Sequence, residues 1–349
     1  MERERESGGA RPPADPSFAQ VASGDLPHTL FYGPPGAGKT TLVKATLREL
    51  FGPGAERIKV ETTPWKVKTP SRTVDVELTL ASSNHHVELS PADAGTHDRY
   101  VVQEVIKEMA RARPVDAATG ARGFKVLVLH EVDRLSRDAQ AALRRTMEKY
   151  SAGCRLILAA NSLSRVIEPL RSRCLCVRVP APTDDALVGV IDAVARKEGL
   201  TLPPALAQRM AAAANGNARR ALLSLETARV AAYPFNEAAA IDPPDWELYV
   251  REIVADVLRE QSPRTLYAAR GKIYELLVNC LPPDLILRTL VTTLLPKLDE
   301  ELKPGVARAA AVYDARMADG AKPVFHIEAF LARFMVDYKA WSVRVERGG

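Results

Sequence analysis

The densest chemistry in this chain lies in Gly33-Pro34-Pro35-Gly36-Ala37-Gly38-Lys39-Thr40. The pattern is G-x-x-x-x-G-K-T. It runs out of the apolar Leu30-Phe31-Tyr32 into Leu42-Val43, Leu47 and Leu50, which recur at helical spacing. A strand on one side and a helix on the other give this pattern its meaning as a phosphate-binding loop. Glycines let consecutive backbone N–H groups curl around an anion, and the helix N-terminus adds partial positive charge. Lys39 is a point charge for β- and γ-phosphates, and the Thr40 hydroxyl is placed for a Mg2+ that bridges them. Gly33, Pro34, Pro35, Gly36, Ala37, Gly38, Lys39, Thr40 and Thr41 are therefore expected to hold ATP or ADP. A Gly/Pro turn that matched by accident would lack the two flanking elements.

A nucleotide site of this type needs an apolar strand ending in acid, and Val126-Leu127-Val128-Leu129-His130-Glu131-Val132-Asp133 is that strand. Glu131 stands where a carboxylate can polarise an attacking water. The position before it normally carries an aspartate that steadies the Mg2+ shell, and here it is His130, which cannot supply that negative charge. Asp133 falls three residues beyond His130, after the strand end, and reads as an acidic turn residue. Arg155-Leu156-Ile157-Leu158-Ala159-Ala160-Asn161 is a third strand with a polar tip, and Asn161 there can orient water or touch a γ-phosphate. Asn also commonly ends strands for reasons of backbone geometry alone. Arg171-Ser172-Arg173-Cys174 places two arginines beside a strand start, which by themselves read as solvated charge. In the helix beginning near Asp138, Ala139, Leu143 and Met147 share one face while Arg144, Arg145, Glu148 and Lys149 lie off it. Arg144 and Glu148 are an i,i+4 pair, which leaves Arg145 and Lys149 as net positive charge. That face is either an ordinary solvated surface or a phosphate contact.

Elements must position these residues. Strands are expected at 29–32, 58–61, 124–129, 155–160 and 175–179, separated by helical stretches, a pattern of parallel sheet with helices on both faces. Strict alternation in Val74-Asp75-Val76-Glu77-Leu78, followed by Val87-Glu88-Leu89, predicts an extra hairpin. The expected division is a disordered polar tail at 1–20, a nucleotide-binding domain at 21–180, a small helical domain at 181–236 and a further helical domain at 237–349. At 349 residues the chain is long enough for two or three domains, and 46% hydrophobic with 26% charged residues is ordinary for a globular protein. No apolar run has the length of a membrane span, so no membrane partner is expected. Met1–Glu6 mixes both signs of charge without an apolar core, unlike a secretory signal. Cys154, Cys174, Cys176 and Cys280 form no C-x-x-C pair, which suits reduced intracellular thiols rather than a metal site. A net charge of +5 permits a polyanionic partner.

Taken together these residues resemble the AAA+ ATPases, and more narrowly the small subunits of the eukaryotic sliding-clamp loader, replication factor C. The marks are Asp138–Tyr150, Arg171-Ser172-Arg173-Cys174, Asn161-Ser162 between them, Asn217-Ala218-Arg219-Arg220-Ala221-Leu222 and the closing Glu328-Ala329-Phe330. The likeness covers about residues 24–345. It is strongest to the subunit 3 type, through Glu131-Val132-Asp133 in place of D-E-A-D, Thr62-Thr63-Pro64, the 72–89 hairpin, and Ala211–Arg220 without the usual aspartate. The resemblance implies an AAA+ α/β domain, a helical lid and an all-α collar that joins a heteropentamer with the other replication factor C subunits. It implies roles as well: Lys39 and Thr40 for phosphate and Mg2+, Glu131 as the base-like carboxylate, Asn161 as sensor 1 and Arg219 as sensor 2. Arg173 would be an arginine finger acting in trans on a neighbour's ATP, since a finger makes sense only against another subunit's γ-phosphate. Lys107, with Arg145 and Lys149, would face DNA.

Three departures qualify that expectation. His130 weakens the metal site. The family's N-terminal W-V-x-K-Y-R-P segment, which helps grip adenine, has no counterpart in residues 1–23. His97 and Gln103 stand where arginines are usual on the DNA-facing helix. The resemblance therefore implies a nuclear protein of DNA replication and repair that loads the sliding clamp (PCNA) onto primer-template DNA. Its own ATP hydrolysis is expected to be weak. An AAA+ protein-remodelling ATPase would want an intact Asp-Glu pair and an aromatic pore loop. A P-loop phosphotransferase would have no use for the long helical C-terminus.

Overall fold

A computed structural model describes residues 26–68, 73–111, 124–151, 153–237, 239–320 and 322–348. The tail expected at 1–20, and the 1–23 segment without the family's adenine-gripping motif, lie outside them. The chain divides into two compact units, Met1–Ile241 and Asp242–Gly349.

The first unit is built on a sheet of seven strands in the order β2-β3-β4-β5-β6-β1-β7. These are β1 (Thr29–Tyr32), β2 (Lys59–Lys68), β3 (Thr73–Ser82), β4 (His86–Leu89), β5 (Lys125–Leu129), β6 (Cys154–Ala160) and β7 (Leu175–Arg178). Strands β4, β5, β6, β1 and β7 pair in parallel, and the apolar runs of β4, β5, β6 and β1 are covered on both faces, as parallel sheets require. Alternation sorts the side chains. Leu127, Leu129, Leu156 and Leu158 pack to one side with Leu143 and Met147 of α3 (Arg137–Tyr150). Val126, Val128, Ile157 and Phe31 pack to the other with Val43, Leu47 and Leu50 of α1 (Lys39–Phe51).

The expected hairpin forms, with β3 antiparallel to β4. Val74–Leu78 lies beyond the stretch that meets β4. It belongs to β3, which runs antiparallel to a ten-residue β2, with Val74 opposite Val67 and Leu78 opposite Thr63. Only Leu80–Ser82 meet Val87–Leu89. The sheet is thus mixed, with β3 antiparallel to both its neighbours, and β2 extends seven residues past the expected 58–61 strand. The helix expected to face DNA, which carries Gln103 and Lys107, is α2, residues 98–111, within which Val102–Ile106 is a π-helical turn, the kind of wide turn often found beside functional sites.

After α4 (Glu168–Arg171) and β7 come α5 (Asp184–Lys197), α6 (Pro204–Ala214) and α7 (Ala218–Ala231). They enclose their own small core of Leu187, Ile191, Leu206, Met210 and Leu225. Thr183 caps α5 by accepting the Ala186 N–H, as its position after Pro182 suggests. The second unit contains α8 (Asp245–Arg259), α9 (Pro263–Val278), α10 (Pro283–Leu294), α11 (Lys303–Asp319) and α12 (Pro323–Gly348). Its core is separate, formed by Val250, Ile253, Ile273, Leu290, Ile327, Phe330 and their neighbours. Among the described residues no helix is long and apolar enough to cross a membrane.

Candidate nucleotide site

The C-terminal ends of β1, β5 and β6 lie side by side, so the loops that follow them converge. Ligands of open α/β sheets bind at this edge. The loop after β1 folds onto itself around Lys39, whose Nζ donates to Gly33 O, Pro34 O and Asn161 Oδ1, each at 2.8 Å. Gly38 precedes α1 at φ 92°, a left-handed conformation that side chains resist. Gly36 is doubly constrained. Its φ is +76°, and a Cβ there would sit 1.8 Å from Asn217 Oδ1. That crowding has a partner bond: Ala218 N–H, at the start of α7, donates to Gly36 O at 3.0 Å. The phosphate loop is therefore fastened to the small helical core as well as to the sheet. Asn217 itself caps α7 by accepting the Arg220 N–H at 3.1 Å.

The result is a cleft of about 630 Å³ lined by the loop, by His130, Glu131 and Asn161 from the sheet, and by Arg219, Leu222, Leu223 and Glu226 from α7. Burial pulls the Lys39 ammonium below its ordinary value. Asp133 and Glu131 oppose that shift and Arg219 adds to it. An anion between Lys39 and Arg219 would relieve both charges, so the donor set fits a polyphosphate.

The acid end of β5 differs from a simple acidic turn. Glu131 has φ 54° and ψ 42°, a left-handed backbone uncommon for a non-glycine residue, and such strain collects at functional positions. Its Oε2 accepts from Arg134 Nη1 at 2.7 Å. His130 Nε2 lies 3.2 Å from Oε2 of Glu88 on β4, whose other oxygen is 3.4 Å from His86 Nε2. Burial raises the Glu88 carboxyl, yet the His130 and His86 contacts outweigh it and hold the group down at about 2. Glu88 and His86 were not expected in the site region, and no spacing in the sequence pointed to them. Asp133 is also buried, and its oxygens accept the backbone N–H groups of Asn161 and Ser162 at 3.1 and 3.3 Å. Mg2+ keeps water and needs a carboxylate or two, plus phosphate oxygens. Here Thr40 offers a hydroxyl and Glu131 is held by Arg134, so phosphate fits the site better than metal does.

The other expected residues lie outside the cleft. Arg173, between α4 and β7, donates from Nε and Nη2 to Glu148 Oε1, both at 2.8 Å, and from Nη1 to Pro169 O at 2.9 Å. Glu148 also takes Arg144 Nε at 3.2 Å, the expected pair, and the two arginines hold its carboxyl below the usual range. Arg145 and Lys149 lie exposed on the same helix, and Lys107 is half-buried on α2, which packs against it.

Three family models match successive parts of the chain. They are "ATPase family associated with various cellular activities (AAA)" at residues 29–179, "RCF1/5-like, AAA+ ATPase lid domain" at 189–230, and "Replication factor C subunit 3, C-terminal domain" at 246–342. Among curated proteins, the chain is 57% identical to replication factor C subunit 3 of Arabidopsis thaliana over 323 residues, covering 93% of this chain and 91% of that protein. Replication factor C subunit 5 of Oryza sativa is 56% identical with the same coverage. Replication factor C subunit 3 of Homo sapiens is 47% identical, covering 91% of this chain and 88% of that protein.

Proposed function

The chain belongs to the replication factor C subunits of the AAA+ ATPases, and from that premise we propose that its chemical contribution is made chiefly at an interface, through Arg173, rather than at its own nucleotide site. It is a small subunit of the DNA clamp loader and works in a complex with other replication factor C subunits. The complex would use ATP to place the sliding clamp on primer-template DNA in the nucleus, in replication and in repair. The nucleotide would sit on Gly33–Thr41 with Mg2+ carried by its phosphates and Thr40. Asn161 and Arg219 would be the sensor residues.

The observation that carries this reading is an asymmetry. In the cleft, the aspartate position is His130, bound to Glu88, and the Glu131 carboxylate is occupied by Arg134 at 2.7 Å. With no carboxylate at the His130 position to steady Mg2+, hydrolysis in this site would be slow. Arg173 is instead held at the surface by Glu148, Pro169 and Ser172, and would turn its guanidinium from them to a phosphate across an interface. Such a finger stabilises charge developing on a γ-phosphate bound by the adjacent subunit, and it accounts for a thousand-fold or more at the one site it serves.

The test is clamp- and DNA-stimulated ATPase on reconstituted complexes. Arg173→Ala is expected to remove about one site's share of turnover while assembly persists. Arg173→Lys should rescue little, because an ammonium lacks the planar fork. Lys39→Ala should barely change the total. If Lys39→Ala is the damaging change and Arg173→Ala the silent one, the roles are reversed.

A further inference from the structure

We infer that Asp133 is a positioning residue for the phosphate end of the cleft: by holding the backbone of the turn after β6, it sets Asn161 against Lys39. The inference rests on reading the cleft as a nucleotide site. Three observations support it. Asp133 is 7% exposed, and both carboxylate oxygens are used. Oδ1 accepts the Asn161 N–H at 3.1 Å, and Oδ2 accepts the Ser162 N–H at 3.3 Å. The side chain of that same Asn161 places Oδ1 at 2.8 Å from Lys39 Nζ.

A buried acid can cap any turn. This one caps the turn whose first side chain touches the cation that meets β- and γ-phosphates. Hydrogen bonds from backbone N–H to an ionised carboxylate are about twice as strong as neutral ones, so they fix the turn well. The other two bonds of Lys39 go to Gly33 O and Pro34 O within its own loop. Among the described residues, Asn161 is the side chain outside the loop that hydrogen-bonds Lys39, and Asp133 holds the backbone that carries it. A bound γ-phosphate would lie near this junction, so ATP should depend on Asp133 more than ADP does.

The experiment titrates the full-length chain with fluorescent ATP and ADP analogues. It compares the unaltered protein with Asp133→Asn, Asn161→Ala, the double variant and Lys39→Ala. Each of the first two changes is expected to lower the preference for ATP over ADP by about tenfold, the worth of a charged hydrogen bond. The double variant should lose no more than Asn161→Ala alone, because the first residue acts through the second. Equal weakening of ATP and ADP, or additive losses in the double variant, would show a merely structural acid and overturn the assignment. Should Asp133→Asn fail to fold, Asp133→Glu keeps the charge and moves it by one methylene. It must then lower the same ratio, and an unchanged ratio sinks the idea. If Lys39→Ala binds nucleotide as well as the unaltered chain, the reading of the cleft itself falls, and this inference falls with it.

Discussion

Glu88 shows how a single buried residue can tie the site's edge to solution pH. Its carboxylate is almost wholly removed from water, a placement that alone would favour the neutral acid. His130 and His86 reverse that preference and hold the group at about 2. The folded chain therefore keeps Glu88 ionised where the unfolded chain would already have taken up a proton. The resulting stabilisation is complete above the ordinary carboxylate range and disappears as pH falls from about 5 to about 2. Its size is on the order of 3 kcal/mol, from the difference between an ordinary glutamate and this one. Glu88→Gln is expected to flatten the fall in unfolding free energy over that window, as read by urea titrations at successive pH values. It should also destabilise the protein at neutral pH, since both imidazoles lose their anion. A variant with the same acid limb as the unaltered chain would show that other carboxylates govern it.

The element that carries the charges outside the cleft is α3. One face, Ala139, Leu143 and Met147, is fully buried against the sheet, and Ser136 caps its start by accepting the Ala139 N–H. The opposite face carries Glu148, which holds Arg173, along with the exposed Arg145 and Lys149. With Lys107 on the adjoining α2, these cations are expected to touch DNA phosphates in the assembled complex. Neutral substitution of each should lower the salt slope of DNA binding by about one unit, and unchanged slopes would leave them as solvated charges. This helix was legible in the sequence because its apolar spacing is local, and so were β1, β5 and β6, whose apolar runs lead straight into the polar residues of the cleft. What could not be read was pairing at a distance. The alternation in Val74–Leu78 announces a strand but not that its partner is Thr63–Val67 rather than Val87–Leu89. Asp133 looked like a turn residue because its partners, the N–H groups of Asn161 and Ser162, lie 28 and 29 residues away. Glu88 meets His130 across 42 residues, and no local period encodes such a contact.

At the scale of the whole molecule, the chemistry and the larger helical core are kept apart in sequence. Every residue lining the cleft lies between Pro35 and Glu226, whereas the core of the second unit begins at Val250. That second core is built around α12, where Ile327, Phe330, Leu331 and Phe334 recur at helical spacing and are almost fully buried. Phe330 is 0% exposed and sits edge-on to Tyr313 of α11 at 6.4 Å between ring centres. Truncating it would leave a large cavity in this core, a change that costs about 3–5 kcal/mol in well-packed cores. Phe330→Ala is therefore expected to lower the stability of the Asp242–Gly349 unit by that amount, seen as a shift of its unfolding transition in calorimetry. Nucleotide affinity below that transition should stay unchanged, because no cleft residue is drawn from the second unit. Phe330→Leu, which keeps most of the buried volume, should recover much of the loss. The argument fails if Phe330→Ala weakens nucleotide binding as strongly as it weakens folding, since the site would then draw on a core that contributes none of its residues.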